Sequence, residues 1–235
     1  MNEEKQKEIR FDDYVDTYKK EIQESIDFIG QDVDFFIEIK AKMLLEIAEK
    51  HIGGLGKADA LDIGSGVGLV DKVTAPYFNS LTGVDVEEGV VERAAINNPG
   101  IKYLIYDGKK LPFKDNSFNI TFAINVMHHV PVDLWQNFCN EMHRVLKPGG
   151  IAAVFEHNPA NPLTRKVVRD CEFDRDAVLL SHKKIKELYI NSGLSVTEDS
   201  YIIFFPFKSS IFRTAEKLIK WLPLGAQQYV IGRKS

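Results

Sequence analysis

The chain has 235 residues, 44% hydrophobic and 27% charged, ordinary values for a globular protein that can bury a core, so disordered and fibrous classes are excluded. Its formal net charge of −4 and isoelectric point near 5.9 argue against a general affinity for phosphate backbones, and no nucleic-acid partner is expected. The two cysteines, Cys139 and Cys171, lack the Cys-x-x-Cys or Cys/His spacing of a zinc site or disulfide framework, so no metal is expected either.

In chain order, residues 1–54 read as an N-terminal helical segment. Tyr14 and Tyr18, four apart in the stretch 11–18, can share one helix face, either as part of a lid or as packing onto the body. Phe35, Ile39, Leu44, Ile47 and Ala48 recur at amphipathic spacing over 34–52, and Gly53-Gly54 stops that helix. Nothing in the first residues resembles a signal peptide, and no apolar run approaches the roughly eighteen residues of a membrane span, so a cytoplasmic protein is expected.

From residue 55 onward strands alternate with helices. Strands are predicted near 60–63, 80–85, 101–106, 118–125, 150–156, 194–204 and 227–233. Helices are predicted near 67–78, 87–97, 132–146 and 182–192, the last capped by Ser181, with Pro148-Gly149-Gly150 as the stop of the third. Strands separated by helices pair in parallel through right-handed crossovers, and such sheets hold their ligand at the carboxyl ends of the strands.

The run Ala60-Leu61-Asp62-Ile63-Gly64-Ser65-Gly66-Val67-Gly68-Leu69 drives an apolar strand straight into three glycines at alternate positions. Glycine takes positive φ and lets a ligand approach the backbone closely. Leu69 stands where the dinucleotide fingerprint has its third glycine, which fits NAD poorly. Asp85, ending the next apolar run about twenty residues on, is placed to hold both hydroxyls of a ribose. The block from Asp107-Gly108 to Leu111-Pro112-Phe113, and then His143-Arg144-Val145-Leu146-Lys147-Pro148-Gly149-Gly150, complete the pattern.

These four blocks, over roughly residues 55 to 157, resemble the class I S-adenosylmethionine-dependent methyltransferases, in particular the small-molecule branch that includes ubiquinone/menaquinone biosynthesis enzymes (methyltransferase type 11). The resemblance implies an α/β, Rossmann-like open twisted sheet, seven-stranded and mostly parallel with an antiparallel last strand, and helices on both faces. It implies S-adenosyl-L-methionine as cofactor. The turn residues Gly64, Ser65, Gly66 and Gly68 would approach its methionine and ribose parts, and Asp85 would hold the ribose. Asp107, with Gly108, would receive the adenine amino group, Leu69 and Val86 would lie near the adenosine, and Asn125 and Val126 would border the methionine end. Asp62 would reach the cofactor's amino group through water.

Insertions near 157–180 and 206–224 fall outside the shared blocks and are expected to select the acceptor, a small molecule or lipid-like compound methylated on O, N or C. In the first, Asn158 and Asn161 are either substrate ligands or loop caps. The second carries Ile211, Ala215, Leu218 and Leu222 at helical spacing among basic residues, a pattern suited to an anionic lipid surface, a sheet edge, a dimer contact or a pocket wall. The chain is expected to be a monomer or homodimer. In-line methyl transfer needs alignment and desolvation above all, and for a hydroxyl acceptor His128, His129 and His157 are the candidate catalytic bases, with Glu156 nearby. The competing readings are an NAD-dependent oxidoreductase and a catalytically silent binding protein on the same fold.

Overall fold

The structure, a computed structural model, describes residues 32–205 and 218–235 together with Gln23, Glu24, Ile26, Gly30 and Glu216. The tyrosine pair at 14 and 18 and most of the 206–224 segment lie outside the described residues.

Seven strands form one sheet: β1 (Asp59–Ile63), β2 (Ser80–Asp85), β3 (Lys102–Ile105), β4 (Phe118–Ile124), β5 (Leu146–His157), β6 (Leu194–Ile202) and β7 (Gln227–Lys234). Their order is β3-β2-β1-β4-β5-β7-β6. The first five run parallel, and β7 lies antiparallel between β5 and β6. The helices are α1 (Val33–His51), α2 (Leu69–Thr74), α3 (Glu88–Asn97), α4 (Trp135–Val145), α5 (Pro162–Asp170) and α6 (His182–Asn191).

The central strands are buried on both faces, so successive residues feed two different cores. Ala60, Ile120, Ile151, Ala153 and Phe155 pack with Phe35, Leu44 and Ile47 of α1. Leu61, Ile63, Ala152 and Val154 point the other way and meet Phe138, Met142 and Val145 of α4 and Ile185 and Leu188 of α6. Helix α1 starts at Asp32, whose side chain accepts the Phe35 N–H at 2.7 Å, and α6 starts at the expected cap, Ser181.

Three local expectations are corrected. The helix predicted over 67–78 is α-helical only from Leu69 to Thr74 and finishes as a 3-10 turn at Ala75–Tyr77, because Pro76 has no N–H to continue the ladder. The Pro148-Gly149-Gly150 stop acts on a strand: α4 already ends at Val145, β5 begins at Leu146, and the pairing with β4 shifts register between Phe118 and Ile120. The excess residues form a bulge there, with Gly149 at φ +80°. Finally, the insertion after β5 holds a helix of its own, α5, where the sequence reads as loop.

Because β1 and β4 are neighbours from which the order runs outward in opposite directions, the tips of β1, β2, β4 and β5 surround one crevice. Among the described residues no helix is long and apolar enough to cross a membrane.

Candidate functional site

At the end of β1 the chain turns through Gly64, Gly66 and Gly68 at φ of +79°, +53° and +76°, and Gly68 is the N-cap of α2. Here the glycines answer different needs. A Cβ on Gly68 would lie 2.3 Å from Asn98 Nδ2 and 2.6 Å from Tyr103 Oη, whereas one on Gly66 would meet nothing within 4 Å. The first is packed from behind, and the second faces open space. Val126, just past β4, closes over Gly64, where an added Cβ would lie 2.5 Å from its Cγ1.

Asp85 reaches this turn from the tip of β2. Its Oδ2 accepts the Gly66 N–H at 2.9 Å and its Oδ1 the Val86 N–H at 2.7 Å. A carboxylate has about four acceptor positions, so capacity remains for further donors. Asp107, beyond β3, accepts the N–H groups of Lys109 and Lys110 at 2.9 and 2.8 Å, and these bonds hold its carboxyl below the usual range. Gly108 beside it lines a small cleft with Ile63, Tyr106, Leu111 and Phe138. Val86 is half exposed, and Leu69 packs toward Ile26, Val33 and Ile37.

Asp62 lies on β1, two residues before Gly64. It is buried against the equally buried Asp71 of α2. Burial and this like-charged neighbour raise the Asp62 carboxyl well above normal, and burial raises Asp71 to about 6. Tyr103 donates to Asp71 Oδ2 at 2.9 Å, and Asn98 donates to Tyr103 Oη at 3.0 Å and to the Gly68 carbonyl at 2.9 Å. Sequence reasoning misses Asp71, Asn98 and Tyr103. Asp71 sits nine residues beyond Asp62, and no motif marks it.

The histidines gather at the β4 and β5 tips. Asn125 adopts φ +58°, redirecting the chain into a 3-10 turn, Met127–His129, which Trp135 Nε1 fastens by donating to the carbonyls of Met127 and Val130. Glu156, fully buried on β5, accepts the Val126 and Met127 N–H groups with Oε1 and meets His128 Nδ1 with Oε2 at 2.5 Å. Asp174, on the turn after α5, lies 3.4 Å from His128 Nε2, 3.3 Å from His129 Nε2 and 4.0 Å from His157 Nε2.

Burial opposes a charge on His128, but Glu156 and Asp174 outweigh it and hold the imidazolium up to about 10. Burial and the charge on His128 push His157 down to about 4, and the same two causes lower His129. Burial lowers the ammonium of Lys40 of α1 to about 8 against the attraction of Glu156 and Asp174. So the three expected histidines do come together, joined by Asp174 and Lys40. His128 is buried, while about a quarter of the His129 side chain is exposed.

Asn158 and Asn161 resolve as structural. Buried Asn158 donates to the carbonyls of Pro223 and Gly225 at 3.2 and 2.8 Å, and Asn161 caps α5 by accepting the N–H groups of Leu163 and Thr164.

Known proteins share both the motifs and the fold. Residues 61–154 match the model of a methyltransferase domain family, type 11. A sterol 24-C-methyltransferase of Gibberella zeae is 36% identical over 103 residues, 41% of this chain and 27% of that enzyme, so the likeness spans about a quarter of the relative's length. An uncharacterized protein of Methanocaldococcus jannaschii is 29% identical over 83% of this chain and 85% of its own length. Among solved structures, a S-adenosylmethionine-dependent methyltransferase from Thermotoga maritima, described as a possible histamine N-methyltransferase, superimposes with a TM-score of 0.67 over 96% of this chain and 98% of that one, at 20% identity. That likeness shows the fold.

The crevice suits the nucleoside cofactor of that family. Asp62 Oδ1, Ser65 Oγ and Asn125 Oδ1, all at the tips of β1 and β4, are buried without a hydrogen-bond partner, and such atoms are costly unless something polar satisfies them. Residues 61–154 match a methyltransferase domain, and the chain as a whole has the fold of an S-adenosylmethionine-dependent methyltransferase.

Proposed function

We propose that this protein transfers a methyl group from S-adenosylmethionine to an O, N or C atom of a small-molecule or lipid-like acceptor. The observation that carries the reading is the meeting of Asp85 with the Gly66 N–H beside open space at the first strand tip. The cofactor, when bound, supplies an electrophilic methyl on a sulfonium. Asp85 would hold its ribose, and Gly64, Ser65, Gly66 and Gly68 would let it approach the backbone. Asp107 with Gly108 would receive the adenine end beside Val86 and Leu69, while Asn125 and Val126 would border the methionine end. Asp62, whose buried Oδ1 lacks a hydrogen-bond partner, would reach the cofactor's amino group through water.

His129, neutral and partly exposed, is the group best placed to accept a proton from a hydroxyl acceptor, while His128 stays locked between Glu156 and Asp174. The match to part of a sterol methyltransferase supports an apolar, small-molecule acceptor.

Calorimetric titration tests the reading. S-adenosylmethionine binds and NADH does not, and Asp85→Ala loses about 1.5–3 kcal/mol for each charge-assisted hydrogen bond removed. Normal affinity in that variant would overturn the ribose assignment, and preference for NADH would restore the oxidoreductase reading.

A further inference from the structure

We propose that His128, His157 and Asp174 bind a divalent first-row transition metal ion, of the zinc, cobalt or ferrous type, at the tips of β4 and β5. One ligand atom from each of the three lies within 4.8 Å of the other two. The separations are informative. His128 Nε2 and His129 Nε2 lie 3.4 and 3.3 Å from Asp174 Oδ1, and His157 Nε2 lies 4.0 Å from Oδ2. Each is longer than a good N–H···O bond of about 2.7–3.2 Å. Ligand bonds of about 2.0–2.2 Å in tetrahedral array put donor atoms about 3.3–3.5 Å apart; His128 Nε2 and Asp174 Oδ1 match this at 3.4 Å, and His157 Nε2, 4.0 Å from Oδ2, has to move closer on binding.

The surroundings have the character of a metal site. Glu156 meets His128 Nδ1 at 2.5 Å, and its other oxygen is fixed by two backbone N–H groups. A carboxylate on the far nitrogen of a ligating histidine sets the tautomer and leaves Nε2 for the metal. Two imidazoles with one carboxylate leave coordination positions open, and imidazole favours zinc, iron, copper and nickel over magnesium or calcium. Two neighbours face the site without ligating. Asn125 Nδ2 is hydrogen-bonded to His157 Nε2 at 3.2 Å, a bond the metal ion would replace. Lys40 carries positive charge nearby, opposed by Glu156 and Asp174.

This inference deepens the methyltransferase reading and rests on it for one point: an acceptor oxygen beside His129 would complete the coordination. The binding itself rests only on the side-chain geometry.

The full chain, stripped with a chelator and dialysed against Co²⁺ or Zn²⁺, is to be tested by elemental analysis and by visible absorption of the cobalt form. One ion per chain is expected, with cobalt bands of a low-symmetry nitrogen–oxygen site. His157→Ala and Asp174→Asn abolish stoichiometric binding, and Glu156→Gln weakens it about 10–100-fold through the His128 tautomer. His143→Gln, remote from the site, leaves it unchanged. Circular dichroism checks that each variant folds. Absence of saturable binding by the unsubstituted chain, or binding that survives His157→Ala and Asp174→Asn, overturns the proposal. S-adenosylhomocysteine binding measured on the same samples separates the two readings: nucleoside binding without metal defeats only the metal site, and metal binding without nucleoside defeats only the methyltransferase reading.

Discussion

At the scale of single residues, the three glycines of the first turn divide structural from binding roles. Gly68→Ala forces a Cβ against hydrogen-bonded Asn98 and Tyr103 at φ +76°, so left-handed strain and overpacking together are expected to cost about 3 kcal/mol of stability in urea denaturation. Gly66→Ala meets no neighbour and is expected to cost only about 1 kcal/mol, the strain of a non-glycine residue there. The added methyl nevertheless enters the space assigned to the cofactor, so calorimetry should show S-adenosylmethionine affinity falling about tenfold or more, or about 1.4 kcal/mol. A Gly66→Ala protein with full affinity would remove the turn from the cofactor site. The glycine spacing and Asp85 were legible in the sequence because turn chemistry is local. The Asp62–Asp71 pair was not, since Asp71 reads as an ordinary polar residue of a helix until Tyr103, 32 positions away, is seen to donate to it.

At the scale of elements, β5 and the insertion after it show how a polar loop becomes scaffold. Asn158 ties the end of β5 to the chain entering β7, and Asn161 caps α5 while donating to the Leu224 carbonyl at 2.6 Å. Asn158→Ala strands buried carbonyls and is expected to lower stability by about 1–3 kcal/mol. Asn161→Ala loses a cap worth about 1 kcal/mol. Thermal melts read both. If Asn158→Ala melts like the unsubstituted protein while methyl transfer fails, Asn158 is a substrate ligand after all. The Asn-Pro steps were visible in the sequence, but α5 was not: its nine residues bury only Thr164 and Val168, too sparse a stripe to announce a helix.

At the scale of the whole molecule, Glu198 of β6 joins α1 to the far edge of the sheet. Its oxygens lie 2.8 Å from Lys50 Nζ, 2.9 Å from His51 Nε2 and 2.8 Å from Tyr229 Oη. Burial opposes its charge, but these partners prevail and lower the carboxyl from 4.5 to about 2. A lowered acid contributes stability that is fully present above pH 4.5 and is lost as pH falls toward 2. Allowing for the exposed Lys50, the contribution is about 1–2 kcal/mol. Urea denaturation should therefore show Glu198→Gln less stable by that amount at pH 6, with the gap closing by pH 2. A gap independent of pH would mean that packing, rather than charge, makes this link.

By itself the sequence determined the succession of strands and helices, the glycine turn and the acid at the end of the next strand, because each follows from residue periodicity and backbone preference over a few positions. Only the tertiary structure decided which histidines share a carboxylate. His128 and Glu156 are 28 positions apart, and they meet because β4 lies beside β5 with Ile124 opposite Phe155. Asp174 arrives on the turn after α5, and Lys40 from α1, more than a hundred positions earlier in the chain. Convergence of this kind depends on strand order and on where a returning helix ends, and no local pattern carries that information.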